Sequence, residues 1–185
     1  MKADPTKAIV FPVAVLAAIS ASGAWAQSAK PTDAQIAQIV VIANQVDIDA
    51  GKLAASKAQA PEVKAFAEQM VTDHSAVNKA AGELVQKLHV TPEASATSET
   101  LQEGGDKNLA KLETLKGGAL DKAYIDHEVA YHQAVLQAMD KTLIPDAQNA
   151  ELKALLVKVR PAFVAHLDHA RQTQGQLARL AKQGN

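Results

Sequence analysis

From Thr32 onward, apolar residues return every three or four positions, the period of an amphipathic helix and not the two-residue alternation of a strand. Four long segments carry the pattern. The first is predicted from Thr32 to about Lys57, with Thr32 and Gln35 in the form of a capping box and an inner stripe of Ile36, Ile39 or Val40, Ala43, Val46 or Asp47, Ala50, Leu53 and Ala54. A turn at Ala60-Pro61-Glu62 follows, and Pro61 suits the first position of a second helix reaching about Leu88. Its stripe, counted from Val63, runs through Phe66 or Ala67, Met70, His74, Val77, Ala81, Leu84 and Leu88. A titratable ring therefore points at the core. The third helix is predicted from about Leu120 to Leu143, with Tyr124, His127 or Glu128, Tyr131, Val135 and Ala138 or Met139 inward. After a turn at Ile144-Pro145-Asp146, Asn149 caps the fourth, which turns Leu152, Leu155, Val159, Phe163, His166, Ala170 and Leu177 inward. Pro161 lies inside it and is expected to kink it.

Between His89 and Gly118 the pattern lapses at Thr91-Pro92, a Ser/Thr-rich run, Gly104-Gly105 and Gly117-Gly118. The expectation there is a crossover holding one small helix capped by Asp106, with Leu109, Leu112 and Leu115 as its apolar residues. Two helical hairpins joined by a connection that travels the bundle describe an all-α, ferritin-like four-helix bundle.

Ahead of these helices, Lys2 and Lys7 precede the apolar run Ile9 to Ala21, and Ala24-Trp25-Ala26 offers small residues around a cleavage point. The run is too short for a membrane anchor and contains Pro12. The division expected is a signal peptide at 1–26, a short linker at 27–31 and the bundle domain at 32–182. A periplasmic or secreted product follows, with association with the outer membrane left open and no transmembrane segment after cleavage.

Composition narrows the chemistry. Of 185 residues 48% are hydrophobic, enough for one sizeable core, and the formal net charge of −1 argues against nucleic acid or anionic lipid as a partner. Aromatics make up 3%, too few for a stacking platform. Cysteine is absent, which removes disulfides, thiolate nucleophiles and cysteine-bound metal clusters together. Any metal must be held by His, Asp and Glu.

Those residues fall at one height. Asp47 lies thirteen residues before Ala60 and His74 fourteen after it, so both sit about 20 Å from the first turn. His132 lies about 21 Å from the second turn, and His166 about 24 Å into the last helix. Asp47, His74, His132 and His166 are thus the candidate metal ligands, with Glu128, His127 and His169 as further candidates. Three imidazoles and a carboxylate suit zinc, copper, iron or nickel better than calcium or magnesium. Asp73, Glu128, Asp168, Tyr124 and Tyr131 are candidates to accept hydrogen bonds from the ligand rings. The competing reading is a hydrogen-bonded core network with no metal. His89, beside the loop, reads as a solvated residue.

Catalytic motifs are lacking: there is no Glu-x-x-His of a di-iron bundle, no phosphate-cradling loop and no nucleophile elbow. The residues Asp47 with Gly51-Lys52-Leu53-Ala54, Val63-Lys64, Phe66-Ala67, Met70 to His74, Asp121, Tyr124, His132, Pro161 and His166-Leu167 are similar to those of an exported bacterial family, the domain of unknown function 4142. Its members are described as ferritin-like and often as outer-membrane proteins. The resemblance, over about Thr32 to Leu180, implies a helical fold and export but no activity. Where the family usually has Glu this chain has Asp47. The functions compatible with all this are a transition-metal-binding envelope or stress-related protein, or a structural module that meets another envelope protein or a second copy of itself.

Overall fold

Thr32 caps the first helix as its spacing predicts: its hydroxyl accepts from Gln35 N at 3.2 Å, and Gln35 Oε1 accepts from Thr32 N at 3.1 Å. In the computed structural model, which describes residues 30–183, this helix, α1, runs Asp33–Lys57, and α2 runs Pro61–Lys87. The expected export signal, its cleavage point and most of the linker lie outside the described residues. Helix α3 spans Ala96–Thr114 and α4 Gly117–Ala138. A π-helical stretch, Met139–Leu143, and one α-turn, Ile144–Asp146, prolong α4. The last helix, α5, covers Ala150–Gln183, with Asn149 Oδ1 accepting from Glu151 N and Leu152 N at its start. No strand occurs among the described residues.

The two hairpins, α1–α2 and α4–α5, make a ferritin-like four-helix bundle, and α3 carries the chain back along it. Near one end Glu93 N donates to Ala34 O, and near the other Lys57 Nζ reaches Glu113 O. The crossover thus runs alongside α1, so α4 begins at the α1–α2 turn and α2 and α4 point the same way.

Two boundaries differ from the sequence expectation. The crossover helix is 19 residues long, not a short piece beginning at Asp106. Its cap is Ser95, which exchanges bonds with Ser98 at 3.2 and 2.9 Å. The Ser/Thr run read as a break is therefore a helix start, and Gly104-Gly105 lies inside the helix. Gly105 is there because α3 presses on α1: a Cβ at that position would overlap the Val46 side chain. This contact buries a second face of α1, including Ala37 and Ile48. The second difference is the turn between α4 and α5, which falls after Asp146 instead of at Ile144-Pro145-Asp146. Pro161 does sit inside α5, unbroken. The carbonyl it leaves without a donor belongs to Val157, an exposed residue, so water can replace the lost bond.

Two apolar plugs fill the bundle. One, toward the α4–α5 turn, includes Ile36, Ile39, Met139, Leu143, Leu156 and Phe163; the other, toward the α1–α2 turn, includes Ala54, Val63, Phe66, Met70, Leu112 and Tyr124. Burying each such large side chain contributes about 1.5–3 kcal/mol. Between them lies a polar layer.

The two adjacent glycines of α3 should respond oppositely to alanine. Gly104→Ala, with nothing within 4 Å, should raise stability by roughly 0.5–1 kcal/mol through helix propensity, while Gly105→Ala should cost about 1–3 kcal/mol by forcing α3 off Val46. Urea unfolding midpoints at neutral pH would show the opposite signs.

Candidate functional site

Each of the four core helices places a polar side chain in the layer between the plugs. Asn44 and Asp47 come from α1, one turn apart; His74 from α2; Glu128 and His132 from α4, one turn apart; His166 from α5. All six are buried, none more than 2% exposed. The heights inferred from chain spacing thus coincide: His74, His132 and His166 form a triangle with ring centroids 5.5, 5.2 and 5.4 Å apart. Asp47 Oδ2 stands 3.1 Å from His74 Nε2 and 3.6 Å from His132 Nε2. Phe163 closes one side, 5.0 Å from the His74 ring and 6.0 Å from each of the other two.

The rings are oriented from behind. His74 Nδ1–H donates to Asn44 Oδ1 at 2.7 Å, and the Asn44 amide is fixed in turn because its Nδ2 donates to Val40 O at 2.7 Å. His132 Nδ1–H donates to the Glu128 carbonyl at 3.1 Å. Asp73 accepts from His166 Nε2–H at 2.9 Å. In every case one ring nitrogen is committed to an acceptor, and the other, His74 Nε2, His132 Nε2 or His166 Nδ1, is buried without a hydrogen-bond donor facing it. The Asp47 and Glu128 oxygens and the Tyr124 hydroxyl meet no donor in the layer other than a carboxyl proton, which Asp47 and Glu128 are close enough to share; Glu128 Oε2 also lies 3.4 Å from His132 Nδ1. One nitrogen from each of the three imidazoles, or one donor atom from each of Asp47, Glu128 and His132, lies within 4.8 Å of the others in its set.

Electrostatics in the layer follow from desolvation. Burial, reinforced by His132 and His166, pushes His74 down to about 2, so its ring is neutral. Burial also lowers His166, against the opposing pull of Asp73. Asp47 is raised well above an ordinary carboxyl by burial and then by the facing Glu128, while burial pushes Glu128 up to about 8. The Tyr124 phenol is raised for the same reason.

The remaining candidates fall outside the cluster. His127 lies on the other side of α4, half-buried and stacked on Tyr131 at 5.5 Å, and burial holds it down to about 4. His169 packs edge-on against Phe66 and donates through Nδ1–H to Gln69 Oε1 at 3.0 Å. His89 is exposed at the end of α2, in the left-handed region at φ 54°. Of the suggested acceptors, Asp73 serves His166 and Glu128 serves His132 through its carbonyl. Asp168 instead pairs with Arg171 at 3.8 Å, and Tyr131 donates to Ala43 O at 2.7 Å. Sequence reasoning missed Asn44. Its signal is its place on the apolar stripe between Val40 and Asp47, where a buried amide demands a partner.

A four-helix bundle with a buried three-histidine, two-carboxylate layer defines the class. The chain belongs to the family described as Domain of unknown function (DUF4142), whose sequence profile matches residues 18–173. No curated protein matches the chain significantly. Among solved structures, the crystal structure of a DUF305 fragment from Deinococcus radiodurans is similar with a TM-score of 0.65 at 16% identity, covering 79% of this chain and 95% of that one. At that identity the likeness shows the fold alone. No helix among the described residues is long and apolar enough to cross a membrane.

Without metal, the layer should make stability depend on pH with two opposed limbs. Glu128 is protonated up to about 8 in the folded chain against an ordinary value of 4.5, so the folded state holds the extra proton and loses stability as pH rises through that window. His74, held at about 2 against 6.5, refuses a proton the unfolded chain accepts, so stability also falls as pH drops below 6.5. Thermal melts of chelator-treated protein should decline on the alkaline side by on the order of a few kcal/mol, and Glu128→Gln should flatten that decline while sparing the acid limb.

Proposed function

We propose that the protein binds one transition-metal ion in the polar layer, through His74 Nε2, His132 Nε2, His166 Nδ1 and the Asp47 carboxylate, in a binding or stress-related role in the cell envelope. The observation that carries this reading is the set of three inward imidazole nitrogens, each buried and unpartnered, each opposite a nitrogen already committed to an acceptor. Imidazole ligands of metals are held in this way. His74 Nε2 and Asp47 Oδ2, 3.1 Å apart, are a lone pair facing a carboxyl oxygen, which is unfavourable unless a proton or a cation lies between them. A proton satisfies one such contact; a cation would meet the three imidazole nitrogens, which lie within 4.8 Å of one another, with Asp47 Oδ2 beside two of them. The donor set fits zinc, copper or iron, with nickel also compatible. The envelope location rests on the N-terminal pattern of Lys2, Lys7 and the apolar run before Ala24-Trp25-Ala26.

A second reading has its own observation: the raised Asp47 carboxyl favours a proton shared with His74, the arrangement of a structural module that meets protein partners and binds no metal. Elemental analysis of untagged protein, isolated without chelator, decides. About one transition metal per chain is expected, with His74→Ala losing it while helicity persists. Metal at a hundredfold excess over its dissociation constant should add about 2.7 kcal/mol to stability. Asn44→Leu, which removes the acceptor behind His74, should weaken binding about 10–100-fold. No metal, and no thermal shift with zinc, copper or iron, would leave the proton-sharing network, in which His74→Ala lowers the melting temperature whatever metal is present.

A further inference from the structure

The buried layer is closed by apolar plugs along the bundle axis and by buried acceptors on the α1 and α4 sides. Asn44 behind His74 is 1% exposed and Glu128 behind His132 is 0% exposed. On the α2–α5 side this changes. Behind His166, whose side chain is 3% exposed, stands Asp73, whose side chain is 41% exposed. Among the hydrogen-bonded acceptors behind the three rings, Asp73 alone is wet. Gln69, one turn before it on α2, donates to Asp73 Oδ2 at 3.3 Å and accepts from the half-buried His169 on α5 at 3.0 Å, so a row of polar side chains crosses the seam between the two helices.

We infer that this seam is the port through which the metal reaches the layer, with Asp73 as an outer capture site for a hydrated divalent transition-metal cation and the His166 ring as the inner gate. The inference rests on the metal-binding reading above. A hydrated cation cannot cross an apolar wall with its waters and cannot shed them all at once; it needs ligands that replace them in sequence. Asp73 supplies a charged oxygen that solvent can reach. His166 joins that oxygen to the buried nitrogen Nδ1, which is unpartnered and 2% exposed as a residue. A rotation of the imidazole that releases Asp73 turns a ring nitrogen outward to the captured ion and then returns it inward. Gln69 and His169 are positioning residues, holding Asp73 against the seam.

Loading of Co2+ into metal-free protein, followed by the visible absorption of the ion in stopped flow, separates capture from mere support. Asp73→Asn keeps an acceptor for His166 Nε2–H but removes the charge. The expected result is an association rate about tenfold slower than wild type. Wild-type association should also slow as salt is added, and the variant's should not. A role confined to holding His166 would instead leave association unchanged and quicken dissociation, as Asn44→Leu is expected to do. Asp168→Asn, an exposed carboxylate on α5 paired with Arg171, removes the same charge elsewhere and should load at the wild-type rate. Wild-type loading by Asp73→Asn, or equal slowing by Asp168→Asn, would overturn the port while leaving the metal site standing. Failure of the wild-type protein to bind any Co2+ at equilibrium would remove both readings together.

Discussion

Burying carboxyl and imidazole groups together in one layer is the constraint that the rest of the bundle answers. Three ring nitrogens, four carboxyl oxygens and a phenol lie there with no partner beyond what a shared carboxyl proton can supply. Each such group costs about 1–3 kcal/mol if left alone, a load that an ordinary domain's net stability of 5–15 kcal/mol could not carry many times over. The plugs on either side, from Ile36 to Phe163 and from Ala54 to Tyr124, keep water from relieving it. What relieves it must sit inside the layer: protons shared between Asp47 and Glu128 or between Asp47 and His74, or a cation among the rings.

The same constraint explains why the hairpins are pinned at both ends. A layer assembled from four helices works only if none slides by a turn. At the α1–α2 turn, the buried Asp121 of α4 accepts from Gln59 N and Ala60 N at 3.0 and 2.8 Å, capping α2, which has no side-chain cap of its own. At the other end, Asp33 of α1 accepts from Gln148 N and Asn149 N, both at 2.9 Å, fixing the α4–α5 turn to the start of α1. Tyr131 ties α4 to α1 between these clamps, one residue from His132. Hydrogen bonds at three heights hold α4 against the first hairpin.

Much of this was legible in the sequence because helix geometry converts residue number into height. Asp47, His74, His132 and His166 converge for the reason their distances from the turns agree, and Thr32, Pro61 and Asn149 begin their helices as local chemistry requires. What failed was whatever depends on contact between segments. Gly104-Gly105 has the local signature of a break, yet α3 continues through it because Gly105 must lie against Val46. His169 lies about 60° around α5 from His166, enough to put it on Gln69, while His127 lies about 100° around α4 from Glu128 and stacks on Tyr131 outside the layer. Asp121 and Asp33 as caps on distant turns, and Asn44 as the clamp on His74, require knowing which helix is the neighbour.

The opposed shifts in the layer have one physical origin, and it bears on what the layer can accept. Desolvation drives His74 down toward about 2 and Glu128 up to about 8, so at neutral pH both are held in their uncharged forms. A low-dielectric site that refuses charge on every member has stored acidity on the carboxyls and unused basicity on the rings. A proton moved from Asp47 to His74 would create two buried charges at a cost that the shift of each already expresses. A divalent cation changes the balance: it meets neutral imidazole lone pairs directly, and it makes ionised Asp47 and Glu128 favourable by supplying the opposite charge. Cation binding in such a layer must therefore expel carboxyl protons as it proceeds. On the metal-binding reading the carboxylates have a role distinct from that of the rings: the imidazoles would favour a borderline transition-metal ion, and the carboxyls would set the pH at which the layer exchanges protons for it.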